Sequence, residues 1–344
     1  MAGFLTRLRM SAMCAALALF AVALPARGQP QGLTRIDRSY VDTKRAIKAS
    51  GGFAGSPVRR IDTLVWVPQG GGKGPWPLVI YSHGTLGAPD NAMHIVRALV
   101  SRGYVVAAPN YPLSSRSAFT AIRAPDISDV AQQVRDVSFV IDSLLADPEM
   151  APLIDPRRIG TTGHSLGGVT SYFASFGRQT RDPRIAATAL IGGGDPVQAA
   201  LSSDMGLAGT AHAEVAVPVL FLSAEKDVFA RMMGRPGAAY ARVSGPRYEV
   251  LIRRGVHVWF HDGDEQPADN RNPDCLFFDA NMPGVAIPGC EERVPLIGAA
   301  RQQAITREAL TAFFDAYLKQ DSRALGRLRD IGRRHAEARL TFED

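Results

Sequence analysis

The sequence predicts an α/β fold in which a mostly parallel central sheet carries helices on both faces. Short runs rich in Val, Ile and Leu alternate along the chain with segments of helical periodicity, which is the pattern of parallel crossover units. The chain of 344 residues is long for one domain but falls within the range of a single large α/β unit.

The N-terminus has the features of a secretory signal peptide over residues 1–28. Basic residues precede an apolar run over Met10–Leu24, and Ala26–Gly28 has the small residues of a cleavage site. The run is shorter than the roughly 20 apolar residues of a membrane span, so a membrane anchor is the less favoured alternative. We therefore expect a periplasmic or secreted protein without stable membrane insertion, cleaved near Gly28, with one main domain over 29–320 and a basic C-terminal tail over 321–344.

The charge and motif content point away from several classes of partner. The net charge is +6, and removal of the three arginines of the predicted signal peptide lowers it to +3. The remaining basic residues are scattered, so no nucleic-acid partner is expected. The His and Cys spacings match no metal-binding motif, and no Gly-rich run matches a nucleotide or dinucleotide fingerprint, so we expect neither metal nor cofactor.

Four apolar runs in the first half of the chain have the length and composition of strands. They are Arg60–Val67, Leu78–Ser82, Tyr104–Ala108 and Arg158–Thr162. Helices are predicted over Asn91–Arg102, from Asp126 to about Leu144, and over Val169–Phe176. The segment after Asp126 is the clearest amphipathic helix in the chain, because its apolar residues recur at helical spacing over more than four turns.

The second half of the chain continues the same alternation. Strands are predicted over Ala186–Ile191, Val217–Leu222 and Tyr248–Ile252. A helix over Ala304–Leu318 is expected to cover the sheet. Ligands of parallel sheets bind at the carboxyl ends of the strands, so residues just after these strands are the candidates for a site.

A Gly-x-Ser-x-Gly motif, Gly163-His164-Ser165-Leu166-Gly167, follows the strand predicted to end at Thr162. This pattern is typical of a sharp strand-to-helix turn, in which small flanking residues let the backbone fold tightly and expose the serine oxygen. Ser165 is therefore the candidate nucleophile.

A serine hydroxyl needs a base to remove its proton and an acid to orient that base. In the strand-turn-helix form of this chemistry the chain order is Ser, acid, His. Asp227 follows the strand Val217–Leu222 and His257 follows the strand Tyr248–Ile252, so both fit the order. Alternatives remain open, since Asp195 and Glu225 also lie near strand ends and His261 lies four residues after His257.

The tetrahedral intermediate of acyl transfer needs backbone N–H groups that bind its negative oxygen. One donor is expected to be the amide of Leu166, directly after the nucleophile at the start of its helix. The second is expected from the loop after Leu78–Ser82, where we choose the Thr85 amide, with Leu86 as the alternative.

Cys275 and Cys290 are the two cysteines that remain after the predicted signal peptide. In an oxidising compartment such a close pair in a Pro/Gly-rich stretch indicates one disulfide, worth about 3 kcal/mol in the chain-entropy model. Phe277 and Phe278 in this loop suit either core packing or substrate contact, and the loop is a candidate border of the site.

The segments that carry these features resemble a known family. "LVIYSHGTLGA", "DVSFVIDSLL", "GHSLGG", "LFLSAEKD" and "GVHVWFHD" resemble the α/β-hydrolase superfamily, in its branch of predicted dienelactone hydrolases and platelet-activating-factor acetylhydrolases. The resemblance covers about Asp62 to Leu318 and implies an α/β-hydrolase fold with Ser165, Asp227 and His257 as nucleophile, acid and base. Dienelactone hydrolases themselves use a cysteine nucleophile, so the resemblance does not imply a dienelactone substrate.

The expected function is hydrolysis of carboxylic esters through an acyl-serine intermediate. Only about 25 residues separate the strands that end near Ile191 and begin near Val217, which predicts a minimal lid and an open cleft. Such a cleft suits short-to-medium acyl groups or bulky and polymeric esters, with a small molecule, lipid or polymer as substrate. Trp259, Phe260 and Tyr111 are candidate substrate contacts, with core packing as their alternative.

Two other functions remain open from the sequence. An amidase or peptidase could use the same three residues, and a binding protein could retain the fold without catalysis. The ordered set of Ser, Asp and His favours the esterase. The sequence gives no oligomeric state.

Overall fold

The computed structural model describes residues 32–69, 74–122, 126–210, 212–281 and 283–344. The predicted signal peptide lies outside these residues. The described part of the chain forms one nine-stranded sheet. Its strands are β1 Gly32–Asp42, β2 Arg59–Gln69, β3 Trp76–Ser82, β4 Val105–Asn110, β5 Ile154–His164, β6 Ile185–Ile191, β7 Val219–Ala224, β8 Arg247–Ile252 and β9 Ala338–Glu343.

Helices connect and cover these strands. They are α1 Met93–Ser101, α2 Arg116–Ile122, α3 Val130–Ala146, α4 Leu166–Phe176, α5 Pro196–Ser202, α6 Val228–Met233, α7 Gly237–Arg242, α8 Asp274–Asn281, α9 Ala299–Leu318, α10 Ser322–Arg329 and α11 Ile331–Arg334. None of the helices in the described ranges is both long and apolar enough to cross a membrane.

The sheet has the order β1-β2-β4-β3-β5-β6-β7-β8-β9. The six central strands, which are β4, β3, β5, β6, β7 and β8 in their order across the sheet, are parallel. Strands β1, β2 and β9 pair antiparallel towards the two edges. The parallel strands therefore end at one edge of the sheet, and the loops that follow β3, β5, β7 and β8 meet there.

Two hydrophobic cores lie on opposite faces of this sheet. In β3, Leu78 and Ile80 point to the core beneath α3 and α4, and Val79 and Tyr81 point to the core beneath α1 and α9. Successive side chains of a strand alternate between faces, so a strand covered on both sides must be apolar throughout. This is why the central strands are recognisable as continuous apolar runs in the sequence.

A buried ion pair joins β2, which lies between β1 and β4 in the sheet, to α3. Arg59 donates from Nε and Nη2 to the two carboxylate oxygens of Asp136, at 2.7 and 2.6 Å, and from Nη2 to Asp129 at 2.7 Å. Arg59 and Asp136 are both fully buried. Such a pair adds little over apolar packing, but loss of one partner leaves an uncompensated charge in the interior.

The segment 321–344 is part of the sheet. It contributes β9, which pairs with β8 from Arg247↔Glu343 to Ile252↔Ala338, and α10 packs on α9 with Ala324 and Leu328 buried. The tail expected beyond residue 320 therefore continues the main fold, because β9 covers an edge of β8 that would otherwise be unpaired.

We predict that Asp136→Ala lowers the free energy of unfolding by about 3–5 kcal/mol, because it leaves the Arg59 guanidinium buried without its bidentate partner. Asp142→Ala is the matched control on the same helix, since Asp142 is exposed and pairs with Arg184 at the surface; its loss should be below about 1 kcal/mol. Urea unfolding followed by circular dichroism measures both. Equal losses in the two variants would contradict the prediction.

Candidate active site

The predicted site residues lie in the loops at the carboxyl edge of the parallel strands. Ser165 follows β5, Asp227 follows β7 and His257 follows β8, while Thr85 lies in the loop after β3. Each of these loops leaves the sheet from a neighbouring or nearby strand, so the fold brings together residues that are up to 172 positions apart in the sequence.

Ser165 forms the sharp turn between β5 and α4. Its φ is +55° and its ψ is −119°, a strained conformation for a residue with a side chain. The flanking glycines permit it, because a Cβ at Gly163 would collide with the main chain of Gly167, and a Cβ at Gly167 would collide with the Ser82 carbonyl. The Ser165 N–H donates to the Ile191 carbonyl at 2.8 Å, which fixes the turn against the end of β6.

Asp227 and His257 are hydrogen-bonded to each other. His257 Nδ1 donates to Asp227 Oδ2 at 2.9 Å, and the two side chains are almost fully buried. Because Nδ1 carries the proton in this arrangement, Nε2 of the neutral ring is left as an acceptor. This is the tautomer that a general base for a serine hydroxyl needs.

The alternative acids and base lie in other arrangements. Asp195 caps α5 by accepting from the Val197 and Gln198 N–H groups, and Glu225 accepts from the Arg254 N–H. His261 accepts at Nδ1 from the Gly263 N–H. Of the candidate pairs considered from the sequence, the structure thus joins Asp227 with His257.

Gly193 brings the serine turn next to the histidine ring. A Cβ built on this glycine would lie 3.0 Å from Ser165 Cα and 3.5 Å from His257 Cε1, so both groups contact it. Among the described residues, Ser165 Oγ has no hydrogen-bond partner. Hydrogen bonds from nucleophile to base often form fully only when a substrate is bound.

The candidate oxyanion donors differ in their availability. The Leu86 N–H donates to the Ser114 carbonyl at 2.7 Å, which removes this alternative. In contrast, the N–H groups of Thr85 and Leu166 have no acceptor among the described residues. Leu166 is the first residue of α4, where the helix dipole favours a negative charge.

His83 fixes the orientation of the Gly84–Thr85 peptide. Its Nδ1 donates to the Gly84 carbonyl at 2.8 Å, and its Nε2 accepts from the Tyr111 N–H at 3.1 Å. The C=O and N–H of a trans peptide point in opposite directions, so holding the Gly84 oxygen also aims the Thr85 N–H. Gly84 lies against the serine turn, since a Cβ there would be 3.1 Å from Ser165 Cβ.

Known proteins resemble this chain in sequence and in fold. A family model described as Chlorophyllase matches residues 46–207. A solved structure of a ferulic acid esterase from Streptomyces cinnamoneus matches with a TM-score of 0.59 and 22% identity, covering 94% of this chain and 99% of that chain. Lipase 1 of Moraxella sp. (strain TA144) is 24% identical over 132 residues, which are 38% of this chain and 35% of the lipase.

The likeness to the solved structure shows that the chain has the α/β-hydrolase fold. The predicted fold class is confirmed. The alignment spans about a third of the length of the curated lipase. These matches do not confirm the narrower resemblance to dienelactone hydrolases and platelet-activating-factor acetylhydrolases, which stays a prediction.

Charges around His257 set the basicity of this candidate base. Burial acts to lower the pKa of His257, but the charge and hydrogen bond of Asp227 and the charge of Asp274 outweigh it and raise the pKa. Burial likewise acts to raise the pKa of Asp227, and the charge of His257 with three hydrogen bonds holds it below its ordinary value. The pair therefore favours carboxylate and imidazolium together.

The structure places the three expected aromatic substrate contacts beneath the loops of the site. Trp259 is 1% exposed and donates from Nε1 to the Glu265 carbonyl, and Tyr111 is 1% exposed and bonds through its hydroxyl to Ser82 Oγ at 2.7 Å. Phe260 is completely buried in the core beneath α9. All three are packing residues, because each fills space under the loops instead of lining a cleft.

Phe229, at the start of α6, is the aromatic side chain that contacts the candidate base. Its ring centroid lies 4.2 Å from that of His257, and it also packs against Phe277 and Phe278 of the loop closed by the disulfide. The predicted disulfide between Cys275 and Cys290 is present, with a Cα–Cα distance of 5.7 Å. This loop therefore borders the site.

The site has little cover and no metal centre in the described residues. Between β6 and β7 the described part of the connection contains only α5, a helix of seven residues, and Ser165 remains partly exposed. This fits the minimal lid expected from the sequence. No group of three or more His, Cys, Asp and Glu side chains in the described ranges is arranged to hold a metal ion.

We predict that His257 titrates above the ordinary histidine value of about 6.5. Because the raised pKa depends on Asp227, Asp227→Asn should lower the His257 pKa below that value, leaving burial as the dominant effect. Nuclear magnetic resonance of the histidine ring protons against pH measures the shift. Asp195→Asn, at the end of the neighbouring strand β6, is the matched control, and a comparable shift in this variant would contradict the assignment.

Proposed function

We propose that the protein is a carboxylic ester hydrolase that works through an acyl-serine intermediate. The observation that carries the proposal is the buried Asp227–His257 hydrogen bond beside the Ser165 turn. Asp227 orients the ring, His257 serves as general base and acid, and Ser165 is the nucleophile. The Leu166 and Thr85 N–H groups bind the oxyanion.

The reaction follows from these positions. Ser165 Oγ attacks the ester carbonyl carbon while its proton passes to His257 Nε2, and the carbonyl oxygen becomes the oxyanion. Collapse of this intermediate breaks the bond to the alcohol oxygen, which takes the proton from His257 and leaves an acyl-serine. Water then attacks the acyl carbon in the same way, and the acid and the free serine result.

The relatives support ester cleavage over the alternatives. The family description Chlorophyllase and the names lipase and ferulic acid esterase belong to hydrolases, two of them esterases or lipases by name. The short connection over α5 and the partly exposed Ser165 favour substrates with a short-to-medium acyl group or a bulky or polymeric alcohol. The half-buried rings of Phe229 and Phe277 supply an apolar surface beside His257.

We also propose that the enzyme works outside the cytoplasm. The disulfide between Cys275 and Cys290 supports this, since such bonds persist mainly in oxidising compartments. The signal-peptide pattern over residues 1–28 supports it from the sequence.

We expect Ser165→Ala to reduce kcat for p-nitrophenyl esters by about 10⁴-fold or more, because the attacking oxygen is removed. The assay uses the chain from residue 29 with an acyl series from acetyl to palmitoyl, and p-nitroanilides in parallel. Ser322→Ala, an exposed serine at the start of α10, is the control and should keep full activity. Equal activity in the two variants would refute the role of Ser165, and cleavage of anilides alone would favour an amidase.

We expect His83→Ala to lower kcat by about 10- to 100-fold with little change in KM, since the Gly84–Thr85 peptide loses its anchor and the oxyanion loses part of one donor. His335→Ala is the control. It removes a histidine that lies between α11 and β9 and is hydrogen-bonded to Glu308 of α9. Steady-state kinetics on the best ester of the series measures both. An unchanged kcat in His83→Ala would show that Thr85 is not a donor.

A further inference from the structure

We propose that Asp274 is a positioning residue for the Asp227–His257 pair, an inference that rests on the ester hydrolase function proposed above. Asp274 lies at the start of α8, directly before Cys275 of the disulfide, and is completely buried. Neither its place in the chain nor its motif context singles it out.

The Asp274 carboxylate binds the backbone on both sides of the candidate base. Its Oδ2 accepts from the His257 N–H at 3.0 Å, and its Oδ1 accepts from the Val258 N–H at 2.9 Å. The His257 carbonyl is held independently, by His164 Nε2 at 3.2 Å. The peptide groups before and after the His257 side chain are therefore fixed, and with them the direction in which its ring points.

The same carboxylate also binds the loop of the acid. Oδ2 accepts a second N–H, from Val228, at 3.1 Å, and Val228 directly follows Asp227. Asn272 adds a second link, since its Oδ1 accepts from the Asp274 N–H at 2.9 Å and its Nδ2 donates to the Lys226 carbonyl at 2.7 Å. Asp274 thus joins the loop after β7 to the loop after β8, and it sets the spacing of Asp227 and His257.

The disulfide-closed loop fastens this carboxylate in place. Cys275 is bonded to Cys290, and Phe278 of α8 packs against Phe229 at 4.6 Å between ring centroids. Phe229 in turn contacts the His257 ring at 4.2 Å. A single segment, residues 274–290, therefore supports both the backbone and the ring of the candidate base.

Asp274 also adds a negative charge near the imidazole. Burial and the neighbouring charge of Asp227 raise the pKa of Asp274 to about 6, so it is largely ionised above that pH. The titratable groups that face His257 are Asp227, Asp274, His164 and His261, and of these the two carboxylates raise its pKa. Loss of the Asp274 charge should therefore lower the pKa of His257.

The test is Asp274→Asn in the chain from residue 29, followed by two measurements. The first is the rate at which an alkyl fluorophosphonate labels Ser165; Oγ forms a bond to phosphorus, fluoride leaves and the Oγ proton passes to His257. We expect this rate to fall about 10- to 100-fold, because the base is no longer held in line. The second is the His257 pKa by nuclear magnetic resonance, which should be lower than in the wild type.

Asp279→Asn is the matched control, because Asp279 lies on the same helix but pairs with Arg271 at the surface. It should leave both the labelling rate and the His257 pKa unchanged. A wild-type labelling rate and an unshifted pKa in Asp274→Asn would overturn the proposal, as would absence of labelling in the wild type. Labelling without hydrolysis of any ester would instead reject the ester substrate and still test Asp274.

Asn272→Ala carries the test if Asp274→Asn does not fold. It removes the hydrogen bonds of Asn272 to Asp274 and Lys226 but keeps the Asp274 charge. We expect a labelling rate lowered several-fold with an unchanged His257 pKa. A labelling rate equal to that of the wild type would count against the positioning role.

Discussion

The structure of the site depends on a carboxylate that is kept ionised out of contact with water. Asp227 is 1% exposed, and an unpaired charge in such a place would cost several kcal/mol or be neutralised by a proton. Its two oxygens instead accept from His257 Nδ1 and from the N–H groups of Gly193 and Ala230. These donors come from the loop after β8, the loop after β6 and the first turn of α6. The requirement to satisfy one buried charge therefore fixes three loops relative to one another.

The sheet makes this convergence possible because its strands end level with one another. His164 pairs with Ile191, Ile191 with Leu222 and Leu222 with Val250, so four neighbouring strands are in register close to their carboxyl ends. The ladder continues one step past the strands, since the Ser165 N–H donates to the Ile191 carbonyl and the Gly192 N–H donates to the Leu222 carbonyl. The strained Ser165 turn is thus held in place by a hydrogen bond to the end of β6, and the residue after β6 is held in turn by a hydrogen bond to β7.

The sequence predicts the centre of this fold better than its borders. Strands β3 to β7 are mostly buried, and β8 is buried along one face, so these strands are visible as apolar runs. In contrast, β1 alternates between exposed and half-buried residues and β9 is mostly exposed, and the sequence predicts neither as a strand. The proximity of Ser165, Asp227 and His257 could be predicted because their order along the chain carries the information. The contacts of Asp274, His83 and Phe229 could not, since they join loops that are distant in the sequence. Trp259 and Tyr111 are buried, which the sequence could not show because residue type alone does not separate core from cleft.

Two carboxylates act on His257: Asp227 bonds the ring at Nδ1, and Asp274 accepts from the backbone N–H groups of His257 and Val258. In the proposed reaction, proton transfer from Ser165 creates an imidazolium, which Asp227 stabilises at Nδ1 and Asp274 stabilises from the backbone side of the ring. As the pH falls toward 6, Asp274 takes up a proton and this second contribution weakens. The two groups therefore titrate as a coupled set. In the proposed reaction, the fall in rate at low pH should depend on Asp227 and Asp274 as well as on His257. The reason is that the base strength of His257 depends on the charge of both carboxylates.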